Sequence, residues 1–540
     1  MLQALALNRQ RKSVVRTTTF EAPVEGWDAS SSLAAMPKLR AIQLKNWFPQ
    51  PGYVEVRRGY QLHSRVASVA TPVESLMPWT GLTTQKLYAA AGGTIYDASS
   101  SSSTADVTSL TEDRWQWTNF SNAGANYLYI VNGADSARHY NGTAWATPSI
   151  TASGITSADF INVNVHKKRV WFVQKESTKA WYLATDAISG TATSFELGSL
   201  FGLGGYLVAM ATWTRDGGLG PDDFAVFISS RGQCAVYQGT DPASASTWEL
   251  VGVYDLPAPI GRRCFAKYGG NLLLLTVSGV LQLSMALTSD KANLQAAAIT
   301  DRINQAMNST ARSYKDNFGW DITVYPKGTR LIVNIPTTEL SVSAQYVMNT
   351  LTGAWCEFDN HDAMCWTVWR ERLFFGASNG AVYEADQTCV DVLDPITATG
   401  QTAYQAPFSP GSLKRFTMVQ PLVLTSGTAR PSVAISTDFS EVAQLSTPSG
   451  AIAATARWDE AVWDTAVWGG GSAYVNDWTS ATGLGRWASV KFQGTTGVNA
   501  SGAIWGDSQW GIDEWGQSNT ADEQMQVNGF VALAEVGGAI

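Results

Sequence analysis

Few residues in this chain have the types and spacing that chemistry needs. Four histidines occur, His63, His139, His166 and His361, and no two share the short spacing of zinc ligands. His361 and Asp362 lie between Cys356 and Cys365, which is the nearest approach to a metal cluster. With a single histidine, and with Cys365 inside the strand-like CWTVW, that group reads as structure. The segment GSLFGLGG at 198–205 is dense in glycine but lacks the lysine and hydroxyl residue of a phosphate loop, so it reads as a tight turn. Acidic groups cluster at Asp216, Asp222 and Asp223, and again at Asp459, Glu460 and Asp464. Either set offers oxygen ligands for Ca²⁺, yet neither has the spacing of a calcium loop. Paired carboxylates are also the machinery of glycoside hydrolysis, and no one pair stands out here. The expectation is therefore a chain that is not an enzyme, with no catalytic residue, no metal ligand and no cofactor.

Tryptophan is the other unusual signal. Trp458, Trp463 and Trp468 are five apart, and so are Trp505, Trp510 and Trp515. An odd spacing alternates faces in a strand, so these rings read as packing for short loops rather than as one carbohydrate-stacking surface.

The composition narrows the class. A chain of 540 residues, at about 150 residues per domain, holds two to four domains. Hydrophobic residues are 45%, enough for a large interior, but charged residues are only 15%. So sparse a surface charge suits burial against neighbouring copies, because charges are costly to strip of water. The net charge of −8 is spread without a basic tract, which argues against a surface that grips phosphates or reads bases. Five cysteines, an odd number at low density, read as buried thiols rather than a disulfide framework. Met1 to Leu7 is apolar, but Arg9, Arg11 and Lys12 follow it, the reverse of a signal peptide. No stretch reaches the roughly 18 uncharged apolar residues of a membrane helix.

The elements that would position a site are strands. Residues 1–60 read as an N-terminal arm with first strands, carrying Arg9, Arg11, Lys12 and Arg16 toward a neighbouring subunit or another component of its assembly. From residue 61 to 390 a loose repeat of strand, glycine or asparagine turn, and strand recurs: at 86–98, 127–142, 169–183, 222–239, 271–284, 329–349 and 371–386. The units start about 40 to 58 residues apart, the scale of a propeller blade with insertions. This predicts an all-β fold, a β-propeller of six to seven blades. Residues 284–309 break the pattern and predict an inserted helix with Leu294, Ala298, Ile303 and Met307 on its apolar face. Residues 391–540 predict a separate C-terminal β domain, a sandwich or platform sheet.

Several of these blocks carry a resemblance. LRAIQLKNWFPQPGYVEVRRGY (39–60), PVESLMPW (72–79), KLYAAAGGTIYD (86–97) and WDEAVWDTAVWGG (458–470) with Gly483-Leu484-Gly485-Arg486 resemble bacteriophage tail or neck structural proteins of short-tailed phages. These are nozzle or tail-hub proteins, tail tubular protein B-like. The resemblance implies a homo-hexameric ring around the DNA exit channel of a virion tail, assembled in the host bacterial cytoplasm. It implies a portal adaptor above, tail fibres or spikes at the side, and double-stranded DNA passing through without specific recognition. Arg9, Arg11, Lys12, Arg16, Trp47, Phe48, Trp463, Trp468, Trp505 and Trp510 are the expected interface residues. The alternative expectation is a carbohydrate-binding or glycoside-cleaving propeller protein of a virion.

Overall fold

The structure, a computed structural model, describes residues 14–216, 221–288, 294, 298–425, 430–440, 445–446, 473–497 and 524–539. The fold is all-β, built from several small antiparallel sheets and larger mixed ones. It divides into two compact units, one made of Arg58–Val392 and the other of Met1–Arg57 with Leu393–Ile540.

In the unit Arg58–Val392 every hairpin named from the sequence supplies the second and third strands of its own antiparallel set, hereafter a sheet, though the sets holding 329–349 and 371–386 belong to one larger mixed sheet. The first sheet shows the pattern. Ser75–Thr80, Gln85–Ala91, Thr94–Asp97 and Thr104–Val107 pair antiparallel in chain order. Its central turn is Gly92-Gly93, both at positive φ (60° and 71°), the conformation that two-residue hairpins require. Six further antiparallel sets open on Gln116–Ser121, Phe160–His166, Leu207–Asp216, Phe265–Tyr268, Asp321–Tyr325 and Ala363–Trp369. The seventh takes its fourth strand, Tyr60–Arg65, from the start of the unit, paired antiparallel with Ala381–Ala385.

Each sheet packs on the next. Trp79 and Tyr88 of the first share a core with Leu128 and Tyr140 of the second. Phe120 and Tyr129 meet Phe160 and Phe172, and Trp171 and Tyr182 meet Phe227 and Trp248. Trp213 Nε1 donates to the Gly270 carbonyl (3.2 Å), Tyr268 Oη to Thr350 (3.3 Å), and Asn334 Nδ2 to Ala363 (2.9 Å), linking the fourth sheet through to the seventh. Leu76 and Leu87 then share a core with Trp369 and Phe374, so the seventh sheet packs on the first.

The single helix expected over 284–309 is corrected. Among the described residues the α-helices of this segment are a short turn at Leu283–Ala286 and a longer one at Asn304–Tyr314. Leu294, Ala298, Ile303 and Met307 are all buried, but Ala298 forms a β-bridge to Leu281 and the Ile299 N–H donates to Val280 (3.0 Å). The fifth sheet has three strands, and this extended backbone satisfies its open edge, which a continuous helix could not do.

The N-terminal arm is also corrected. Val14–Glu21 pairs along its full length with Met525–Ala539, with Phe20 opposite Phe530. Trp47–Gln50 and Tyr53–Val56 join the same seven-stranded sheet, and Arg40–Lys45 pairs with Asp394–Thr402 in a second one. Residues from the chain start thus complete the sheets of the C-terminal region, since Met525–Ala539 needs a partner on each side. The two sheets pack face to face through Trp47, Phe492 and Phe530, with ring centroids 5.3 and 5.0 Å apart. Trp47 and Phe48 are 0% exposed, so their expected role as interface residues is corrected to that of core.

Replacing Trp47 with alanine removes a large ring from this closed core. We expect Trp47→Ala to destabilise the unit by about 3–5 kcal/mol. Urea unfolding followed by fluorescence measures it, and a change under about 1 kcal/mol would mean that the ring is not packed there.

Candidate functional site

The opening strands of the seven sheets share one feature beyond order. Residues from all seven line a single cavity of about 400 Å³, among them Leu76, Trp117, Asn162, Met210, Lys267, Asp321 and Thr367. Asp321 is its one carboxyl group among the described lining residues. Burial pushes that carboxyl above the usual range, opposed by the charge of Arg263 and by the Trp366 N–H (3.3 Å).

A second cavity of about 280 Å³ adjoins it and shares Arg262 and Arg263. Its walls are the segments that run into the opening strands of the second, fifth and sixth sheets: Glu112–Gln116, Gly261–Arg263 and Lys315–Trp320. The apolar anchors Trp115, Cys264 and Trp320 are buried; the first two stand directly behind Arg114 and Arg263, and Trp320 behind Phe318-Gly319. Arg263 Nη2 donates to the Glu74 carbonyl (2.9 Å), Ser75 Oγ (2.8 Å) and the Trp115 carbonyl (3.3 Å). Arg262 Nη1 donates to the Asn132 carbonyl (3.1 Å). Phe318 takes the guanidinium of Arg114 at 4.3 Å and that of Arg263 at 5.3 Å on its ring.

The charges at this site are unequal. Arg114 is held by Glu74 (2.9 Å), Glu112 (3.3 Å) and Glu339 (3.2 Å). Among the described residues no carboxylate pairs with Arg262, Arg263, Lys175 or Lys315. Burial lowers the Arg262 pKa, and nearby Arg114 and Arg263 lower it further against the pull of Glu112. The arrangement can hold an anion; it offers guanidinium N–H groups and ammonium groups around one space.

The residues singled out from the sequence lie elsewhere. Arg16 sits in strand Val14–Glu21, exposed, with its guanidinium 5.8 Å from the Phe408 ring. Arg9, Arg11, Lys12, Trp463, Trp468, Trp505 and Trp510 lie outside the described residues, as do Asp459, Glu460 and Asp464. Asp223 is bound to Lys167 Nζ (2.7 Å) and Thr214 Oγ1 (2.7 Å). The thiols of Cys356 and Cys365 donate to different carbonyls, those of Val347 and Val73. His361 packs among Tyr60, Phe358, Trp366 and Phe375. The cations of the cavity were not singled out; their one sequence signal is position, since Arg114 and Arg262-Arg263 stand just ahead of strands that begin at Gln116 and Phe265.

No family model and no curated protein matches the chain. Solved structures do resemble it. One is the extracellular domain of a hybrid two-component system from B. thetaiotaomicron, with 12% identity, a TM-score of 0.39, and 60% of this chain and 41% of that chain covered. This chain therefore matches less than half the length of that one. A quinoprotein alcohol dehydrogenase-like protein of the same organism shares 13% identity at a TM-score of 0.31, over 56% of this chain and 66% of that one. The exo-β-1,3-galactanase of Phanerochaete chrysosporium shares 10% identity at a TM-score of 0.25, over 77% and 95%. None of the three is described as a virion protein. The last two are described as an alcohol dehydrogenase-like protein and a galactanase, which runs against the expectation of a chain that is not an enzyme.

His166 gives a test of how tightly these sheets pack. It ends strand Phe160–His166, edge-on to Trp248 at 5.7 Å, and burial pushes its pKa down to about 4. The unfolded ring titrates near 6.5, so the unfolded state binds more protons between these values. Stability should then fall as pH drops from about 6.5 to about 4, by on the order of 3 kcal/mol from this group. Nuclear magnetic resonance of labelled histidines should place the His166 midpoint near the lower value. A midpoint at the ordinary value would contradict its burial.

Proposed function

We propose that the chain is a structural component of a bacteriophage tail, a nozzle or hub ring that forms part of the DNA exit channel and anchors fibres or spikes. In this reading the unit Arg58–Val392 is a seven-bladed propeller, its blades the seven sheets and its axis the cavity lined by their opening strands. The other unit is the platform.

One observation carries the reading. The blocks of the resemblance that stand far apart in the chain meet in one sheet: Trp47–Gln50 and Tyr53–Val56 from the first block, and Thr479–Gly485 from the last. They form parts of a single sheet, which supports reading the two blocks as one module. The sparse surface charge agrees with large interfaces between copies. A repeated heterologous contact at a fixed rotation closes a ring, and the number six comes from the resemblance alone. Partners in this reading are five further copies, a portal adaptor, fibres or spikes, and double-stranded DNA passing without specific recognition. Its place is the virion tail, after assembly in the host cytoplasm.

A second reading is a carbohydrate-binding or glycoside-cleaving propeller of a virion. It is favoured by the axial cavity, where Trp117 and Trp366 stand with Asn162, Asn164 and Thr367, the polar and aromatic mixture that suits a sugar.

Quantitative mass spectrometry of purified particles separates the two. The ring reading expects the chain in the particle at half the copy number of a dodecameric adaptor. Its absence from particles, or a copy number in the hundreds as for a head decoration, would refute the ring.

A further inference from the structure

Four cations for which no carboxylate partner is found among the described residues lie close together in the unit Arg58–Val392. Lys175, Arg262 and Lys315 line both the 280 Å³ cavity and a neighbouring one of about 430 Å³, and Arg263 lines the former. They come from three separate segments of a chain whose net charge is −8. Against them stand Glu112 (shared with Arg114), Asp316, Glu176 of the neighbouring cavity, and Asp321, whose carboxyl feels the charge of Arg263. Gathering like charges around a partly closed space costs free energy unless a counter-charge enters it.

The guanidinium groups are also held in place. Arg263 is fixed by three acceptors through Nη2, while its Nη1 is buried with no partner among the described residues. Phe318 fixes its plane. Asn132, Arg262's carbonyl partner, is itself locked by Nδ2 bonds to the Glu112 carbonyl (2.8 Å) and Asp135 (2.8 Å). Such a frame meets an oxyanion without reorganising.

We infer that this cavity is a binding site for a small oxyanion, a carboxylate or a phosphate group, with Arg262 and Arg263 as its floor and Lys175 and Lys315 at its sides. This inference is independent of the tail reading. Two sources carry such a group: a free phosphate ion, and an acidic sugar of a glycan.

Isothermal titration calorimetry of the full chain at low ionic strength tests it, with inorganic phosphate, glucuronate and uncharged glucose as probes. Saturable binding of phosphate or glucuronate, weakened by added salt and absent for glucose, is expected. Phosphate binding tighter than glucuronate identifies the free ion as the source, and the reverse identifies the acidic sugar. Arg262→Gln should lower the affinity by about tenfold or more, and Arg262→Lys by less. Thermal unfolding checks that both variants fold. If Arg262→Gln does not fold, Lys175→Gln combined with Lys315→Gln serves instead and should lower affinity several-fold. No saturable binding of either anion, or an affinity unchanged in the folded variants, would overturn the inference.

Discussion

Strand Tyr60–Arg65 lies antiparallel beside Ala381–Ala385, and Gln61 and Glu384, a pair in this register, are 323 residues apart in sequence. Glu384 is 1% exposed, so its charge must be met inside: Arg372 pairs with it, and Gln61 Nε2 donates to it at 3.4 Å. Gly59, just before the strand, runs so close to Val390 that an added Cβ would lie 1.8 Å from that carbonyl oxygen. Without this pairing the seventh sheet would end on an open edge, a site for slippage or association with another chain. Closing so long a loop carries an entropic cost that grows only slowly with its length, and the buried surface of the sheets on either side offsets it. The packing of seventh sheet on first, and the cavity that all seven sheets line, depend on that one strand.

The cavity chemistry follows from the same geometry. Opening strands that converge on one space bring the segments before them together as well. Residues at 112–116, 261–263 and 315–320 are remote in sequence and neighbours in the fold. Buried tryptophans behind them, Trp115 and Trp320, hold the backbone, so the polar residues face the cavity with little freedom. The strand cores are apolar and the charge is concentrated at the ends of the strands, where a ligand can reach it.

The sequence made some of this legible. Hairpins at 86–98, 127–142, 222–239, 271–284 and 371–386 could be read because glycine or asparagine turns separate apolar runs, whereas those at 169–183 and 329–349 turn through Lys175–Thr178 and Glu339–Ser341 with neither residue. Other turns gave no such signal: Lys167-Lys168 and Arg370-Glu371 form two-residue turns at positive φ without a glycine, at 46°, 58°, 51° and 58°. The fourth strands were hidden too, because Thr104–Val107 and Thr193–Glu196 are short, exposed and polar. Partner choice was least visible. Nothing local in Val14–Glu21 says that it pairs with Met525–Ala539, so its basic residues suggested an arm. The indole of Trp47 looked like an interface anchor, for the same composition marks both cores and interfaces. The cationic cavity escaped because its members, Lys175, Arg262-Arg263 and Lys315, stand on three segments remote in sequence, and only the packing of the sheets unites them.

Cryo-electron microscopy of the virion, at a resolution that traces side chains, tests the account most directly. It should place this chain in a closed ring on the tail axis, with Tyr60–Arg65 completing the seventh of seven blades in every copy. Density that fits the chain only on the head surface or in an isolated spike would contradict it, and so would a seventh sheet left open at Ala381–Ala385.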